Sequence, residues 1–146
     1  MIKILCIGNI KDKNLLNLIN NYKLRISKYS KIEIIELKES KTDDINEETN
    51  NLKNHLTNKD YKILLDLKGK MLDSIELKDF IIDLYNYHSN KNITFIIGGS
   101  NGVSDIDVDY RLCLSKNTFP HQLIRLFLLE QIYRCFKIIN NEPYHK

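Results

Sequence analysis

Apolar residues along the 146-residue chain follow two alternating periods. Continuous apolar runs, the mark of strands buried on both faces, occur at "IKILCIG" (Ile2 to Gly8), "KIEIIELK", "YKILLDL" and "NITFIIGG". A shorter run is "RLCLSK"; the third is expected to end at "KGK", around Gly69. Segments of helical spacing lie between them. Asp12 to about Tyr29 sets Leu15, Leu18, Ile19, Tyr22 and Ile26 on one face. Residues 43 to 58 carry only Ile45, Leu52 and Leu56 as a thin stripe, which predicts a surface helix. Asp73 followed by Glu76 has the pattern of a capping box, ahead of a face formed by Leu77, Phe80, Ile81, Leu84 and Tyr85. Pro120, read as a first helical residue, opens a long apolar helix to about Ile139.

Such alternation predicts an α/β fold, a mostly parallel sheet with helices on both faces. Neither repeat nor linker interrupts it, so one domain over residues 1–146 is expected. The last helix is apolar nearly all round, and such a helix is buried. It needs the sheet on one side and a second chain on the other, which predicts a two-fold homodimer. Arg125, Glu130 and Arg134 break its apolar surface. Arg125 and Glu130 are expected to pair or to face water; Arg134, near the tail, is placed to hold an anion or a carbonyl.

Composition narrows the class. An apolar share of 42% and a charged share of 28% are those of an ordinary globule. No stretch reaches the roughly 18 apolar residues of a membrane span. The opening "MIKILCIGNI" is too short for a signal peptide, so a cytoplasmic protein is expected. Cys6, Cys113 and Cys135 form no C-x-x-C pair, and the four histidines show no ligand spacing; no metal site is assigned. A net charge of +3 permits an RNA partner without announcing one. Lysine is abundant and alanine absent, a base-composition bias that makes the four arginines more informative than the lysines.

Two loops carry candidate chemistry. "FIIGGSNGVSD" holds Gly98, Gly99 and Gly102 where a buried strand reaches the carboxyl edge of the sheet, the edge where α/β folds bind ligands. Its spacing is G-G-x-x-G, neither the dinucleotide fingerprint nor a Walker loop, so a cofactor without phosphates fits better. Read alone, the loop fits a tight strand-to-helix turn equally well. "LSKNTFPHQ", after the fifth strand, has Ser, Asn and Thr to turn its backbone inward. Side by side, two such loops can clamp a planar ring between peptide groups and apolar side chains. His121 reads as a helix-start residue.

Taken together, "FIIGGSNGVS", "LSKNTFPHQLIRLFLLEQIYRCFKI" and the closing "EPYHK" resemble the bacterial 23S rRNA pseudouridine-N3 methyltransferase H family, of the SPOUT or α/β-knot class. The resemblance spans essentially the whole chain. It implies a carboxyl-terminal trefoil knot, a rarity that no periodicity argument finds. It implies S-adenosylmethionine as methyl donor, held in a bent form in the knot, and a homodimer with the site at the interface. Leu65, Gly98, Leu114, Ser115, Lys116, Asn117, Thr118 and Phe119 are implied to contact the donor, mostly through backbone. Asn117 stands where a bulkier apolar residue is expected. The stretch from Gly102 to Leu114 is short for the family, and Asp105 and Asp107 take no role.

On the acceptor side the resemblance implies Arg134, Tyr144 and His145, with 23S rRNA in the assembled ribosome as substrate. A histidine titrates in the range useful for proton transfer, so His145 is expected to take the N3 proton or to orient a water. Arg134 is expected to stabilise a developing imidate oxygen or grip a phosphate, and Tyr144 to stack on the base or hydrogen-bond it. Three rival readings remain. A nucleotide-dependent oxidoreductase would need the missing G-x-G-x-x-G. A non-catalytic RNA-binding α/β module would need no cofactor pocket. A SPOUT methyltransferase with another RNA target keeps the donor site.

Overall fold

A computed structural model describes all residues from Met1 to Lys146. Five strands form one sheet: β1 (Ile2–Ile7), β2 (Ile32–Leu37), β3 (Asp60–Met71), β4 (Asn92–Ile97) and β5 (Tyr110–Cys113). Their order is β2-β1-β4-β3-β5 and every pairing is parallel. The four helices are α1 (Lys13–Ile26), α2 (Ile45–Asn54), α3 (Ser74–Tyr87) and α4 (His121–Ile139).

The period-2 pattern of the strands sorts their side chains onto two faces. Ile2, Ile4, Cys6, Ile63, Ile93, Phe95 and Ile97 face α1, α3 and α4 and form the main core. Leu5, Ile7, Leu64 and Ile96 face the other way and meet Leu52 of α2 and Ile106. Helices therefore cover both faces, three against one. At the amino edge, buried Asp60 closes the sheet. Its carboxylate accepts hydrogen bonds from Thr57 N–H, Thr94 Oγ1, Lys3 Nζ and Asn92 Nδ2 at 2.9–3.3 Å. Burial alone would push this carboxyl up; the hydrogen bonds, led by Thr57 and Thr94, outweigh it and bring it down to about 2.

Local chemistry explains the helix starts. Asp12 and Asp44 accept from backbone N–H groups of their first turns, and Asp73 with Glu76 forms the complete capping box. Pro120 lies one residue outside α4, with φ −52° and ψ 137°, as its N-cap and not its first residue. Two face assignments shift. Leu18 is 48% exposed and Tyr85 38% exposed, because α1 and α3 turn a narrower stripe to the core than their apolar residues suggest.

The carboxyl edge departs most from the periodic picture. β3 runs through Gly69 to Met71 and does not end at "KGK". Leu65 and Lys70 both pair with Leu112, so the four residues between them bulge out of the ladder. The glycine loop leads to β5, not into a helix, and since β5 pairs with β3, this connection passes over the end of β3. Arg125 neither pairs with Glu130 nor meets water. It is 1% exposed, and donates from Nη1 to Glu36 Oε2 (2.8 Å) and from Nη2 to the Gly8 carbonyl (3.1 Å). Positions 125 and 130 are five apart and point to different faces of the helix.

Candidate functional site

A cavity of about 660 Å³ opens at the carboxyl ends of β3, β4 and β5, bounded by the glycine loop, the loop after β5 and the first turns of α4. That is the size of a small-molecule site. Leu65, Gly98, Leu114, Ser115, Asn117, Thr118 and Phe119 all line it. Lys116 is exposed and outside the walls, although its neighbours on both sides are in them.

The walls are shaped by backbone. At Gly98 a Cβ would stand 2.6 Å from Val103 Cγ2 and 2.8 Å from the Gly102 carbonyl oxygen, so only glycine lets the loop fold back on itself. Gly102 N–H closes the turn on the Gly99 carbonyl at 3.0 Å. In the second loop Ser115 Oγ accepts from Asn117 N–H (3.1 Å), and the Ser115 carbonyl accepts from the Cys113 thiol (3.1 Å). These local bonds curl the loop as its Ser and Asn content suggests. Leu67, Val103, Leu112, His121 and Ile124 add apolar and polar lining, and Asp66, Lys68 and Arg111 add charge. None of these was assigned to the site from the sequence, where His121 reads as a helix start, although Ile124 lies one helical turn from His121 and that spacing is a signal.

A second cluster sits at the other end of α4. The helix stops in a Schellman arrangement: Asn141 adopts φ 54°, its N–H bonds the Ile138 carbonyl, and Glu142 N–H bonds the Lys137 carbonyl. Glu142 then accepts from Tyr29 Oη (2.9 Å) and Lys137 Nζ, pinning the tail. Tyr144 packs edge-on against Tyr133 with ring centroids 4.9 Å apart, and the Arg134 guanidinium lies 4.8 Å from its ring. Glu130 joins the group, accepting from Arg134 Nη2 (2.6 Å) and Tyr144 Oη (3.1 Å) on one oxygen. Arg134 Nη1 lies 3.3 Å from His145 Nδ1. Arg134, Tyr144 and His145 are thus together. Glu130, the residue that organises them, was legible as the i,i+4 partner of Arg134.

Burial pushes the Tyr144 hydroxyl up, with the Tyr22 and Glu130 contacts adding to it, and Glu130 pushes Arg134 up. Both therefore hold their protons at neutral pH. Cys6 and Cys135 are pushed to about 11 and about 12 by burial, which leaves them as packed apolar groups and not nucleophiles. No group of three or more His, Cys, Asp or Glu side chains could hold a metal ion, and no helix is long and apolar enough to cross a membrane.

From His121 to Arg134 the helix axis advances about 20 Å, at about 1.5 Å per residue. Cavity and tail cluster therefore stand at opposite ends of α4. Residues 1–145 match the family described as "Predicted SPOUT methyltransferase". The chain belongs to the SPOUT methyltransferase family. It is similar to the ribosomal RNA large subunit methyltransferase H of Clostridium botulinum strain Alaska E43, 46% identical with 99% of each chain covered. The protein of that name from Clostridium acetobutylicum is 43% identical, and a putative one from Methanococcus maripaludis 45%, again over 99% of each chain. The first of these alignments runs over 158 positions against 146 residues here, so about a dozen positions are gapped in this chain. In this SPOUT methyltransferase the all-parallel sheet delivers the cavity to its carboxyl edge, as the α/β rule requires.

Proposed function

We propose that this protein is a single SPOUT domain, residues 1–146, that methylates N3 of a pseudouridine in 23S ribosomal RNA. S-adenosylmethionine is the donor, the assembled ribosome the substrate, and the cytoplasm the compartment. The observation that carries the proposal is the separation just described. A cavity walled by peptide groups at one end of α4, and a cationic and aromatic cluster about 20 Å away at the other, make one site only if a second copy brings its tail to the first copy's cavity. The apolar surface of α4, with Phe127 39% exposed, supports a homodimer packed there. The relatives' names support large-subunit rRNA as the acceptor.

The cavity fits the donor. Leu65, Leu114 and Phe119 offer apolar surface to an adenine ring, and the peptide groups of Gly98, Ser115, Asn117 and Thr118 offer its polar edge partners. When bound, the donor supplies a methyl group on a sulfonium sulfur, which the acceptor nitrogen takes directly. A knot in the carboxyl-terminal region belongs to the same proposal.

The tail handles the acceptor. An imide proton with a pKa of about 9 costs roughly 3 kcal/mol to remove at neutral pH. A guanidinium only donates hydrogen bonds, so in the Arg134–His145 contact Nδ1 is the acceptor and the ring proton sits on Nε2. His145 in this state donates to the base instead of deprotonating it. With Arg134 it stabilises the developing imidate oxygen, and the N3 proton passes to water. Tyr144, held in its neutral form, stacks on the base or hydrogen-bonds it.

Mass spectrometry of rRNA nucleosides tests this, after incubation with labelled S-adenosylmethionine and ribosomes, free large subunits or naked rRNA that lack the modification. Label in N3-methylpseudouridine with assembled ribosomes alone is expected. Label in a different nucleotide would keep the donor site and replace the target. Donor that never binds would favour the non-catalytic RNA-binding reading.

A further inference from the structure

Behind one wall of the cavity three distant segments meet in a corner. Gly8 follows β1 with φ +88°, Glu39 follows β2 with its side chain 57% exposed, and His121 opens α4 and is the one of the three that lines the cavity. Glu39 Oε1 lies 3.7 Å from His121 Nε2. Gly8 makes this approach possible, since a Cβ there would stand 2.7 Å from Glu39 Oε1 and 3.4 Å from His121 Nε2. His121 Nε2 is buried, faces Glu39 and has no hydrogen-bond partner, which leaves Nδ1 as the ring nitrogen free to accept from a ligand. A carboxylate facing one ring nitrogen keeps the proton there and leaves the other as an acceptor. Arg125 is held by Glu36 and the Gly8 carbonyl, Glu48 Oε2 accepts from Ser40 N–H, and Asp66, the carboxylate in the cavity lining, is paired with Arg111 at 3.0 Å.

We infer that this corner seats the α-ammonium group of the methyl donor, with His121 Nδ1 accepting its hydrogen bond and Glu39 acting as the positioning residue behind the ring. The inference rests on the donor reading of the cavity. An ammonium only donates and carries positive charge, so it matches an acceptor backed by a carboxylate. The adenine and ribose are served by the peptide groups of the two loops. His121 is thus a contact residue for the donor and not merely the start of a helix.

The test is calorimetric binding of two nucleosides to the full-length protein. S-adenosylhomocysteine keeps the ammonium; 5′-methylthioadenosine lacks the amino-acid arm. His121→Ala is expected to weaken the first about tenfold or more, the scale of a lost charge-assisted hydrogen bond, and to leave the second within about twofold. His121→Gln, which keeps an acceptor, should recover part of the loss, and Glu39→Gln should show the same selectivity more weakly. Equal weakening of both nucleosides would make His121 structural and overturn the seat, as would no weakening of either. Should His121→Ala fail to fold, the Gln variants carry the same comparison. If the wild-type protein binds neither nucleoside, the donor reading itself fails and the seat with it.

Discussion

The two ends of α4 are built on opposite principles. At its start the cavity is made by backbone, from loops curled by their own hydrogen bonds and apolar walls set by sheet and helix. At its end the cluster is made by side chains: Arg134, Tyr144 and His145 are gathered around Glu130 within one helical turn and a short tail. A backbone surface tolerates exchange of the side chains it carries but not of its glycines. A side-chain surface is the reverse. Away from His121, the cavity end should therefore be robust to substitution and sensitive to loop geometry, and the tail end sensitive to every charged atom.

Complementation attacks that contrast most directly. Arg134→Ala should lower methyl transfer at least about 100-fold, the scale of a removed charge stabiliser, while S-adenosylhomocysteine binding holds. Gly98→Ala should abolish binding by forcing the loop open. Mixing and reassembling the two dead variants should restore about a quarter of wild-type activity, since half the dimers would pair one intact cavity with one intact tail. No recovery in the mixture would mean that the two ends do not meet across a dimer.

Arg125 sits between the two ends, and its loss should erase the contrast. Arg125→Ala removes the buried partner of Glu36 and of the Gly8 carbonyl, at about 3 kcal/mol; Arg125→Met, similar in volume, should cost about 1 kcal/mol. Denaturant unfolding measures both. Equal costs would mean that the packing of the side chain contributes nothing beyond its ion pair and hydrogen bonds.

Acid should act on neither end selectively. The Asp60 carboxyl is held at about 2 in the fold against an ordinary 3.8. It thus contributes about 2 kcal/mol of stability above pH 4, lost as pH falls through 2. Asp60→Asn should flatten that limb of the stability–pH curve, and an unchanged limb would assign the acid sensitivity elsewhere. The smallest effect is expected at Asn117, an exposed residue that contributes its N–H to the loop. Asn117→Ala should leave donor binding within about twofold by calorimetry, and a larger loss would mean that its side chain belongs to the site.

Much of this was legible without coordinates. Strand and helix periods, the Asp73–Glu76 box and the loops Gly98–Gly102 and Leu114–Phe119 all follow from local spacing, and the cavity forms where the two loops meet. Composition and period had far less to say about the tail. Pro143, Tyr144 and His145 became meaningful only through the family resemblance, and Glu130 was expected to pair with Arg125 or to face water, whereas the helical period pairs it with Arg134.

The amino-acid sequence by itself determined the elements, their caps, the two faces of the sheet and the chemistry available at each end of α4. Those depend on neighbours within a few residues, where periodicity and turn chemistry act. Tertiary structure alone decided that β5 pairs with β3, that β3 bulges between Leu65 and Lys70, that Arg125 is buried on Glu36, and that Gly8, Glu39 and His121 meet. Each of these joins groups that are distant in the chain. A buried charge or a close backbone approach is fixed by what packs across from it, and no local pattern records that.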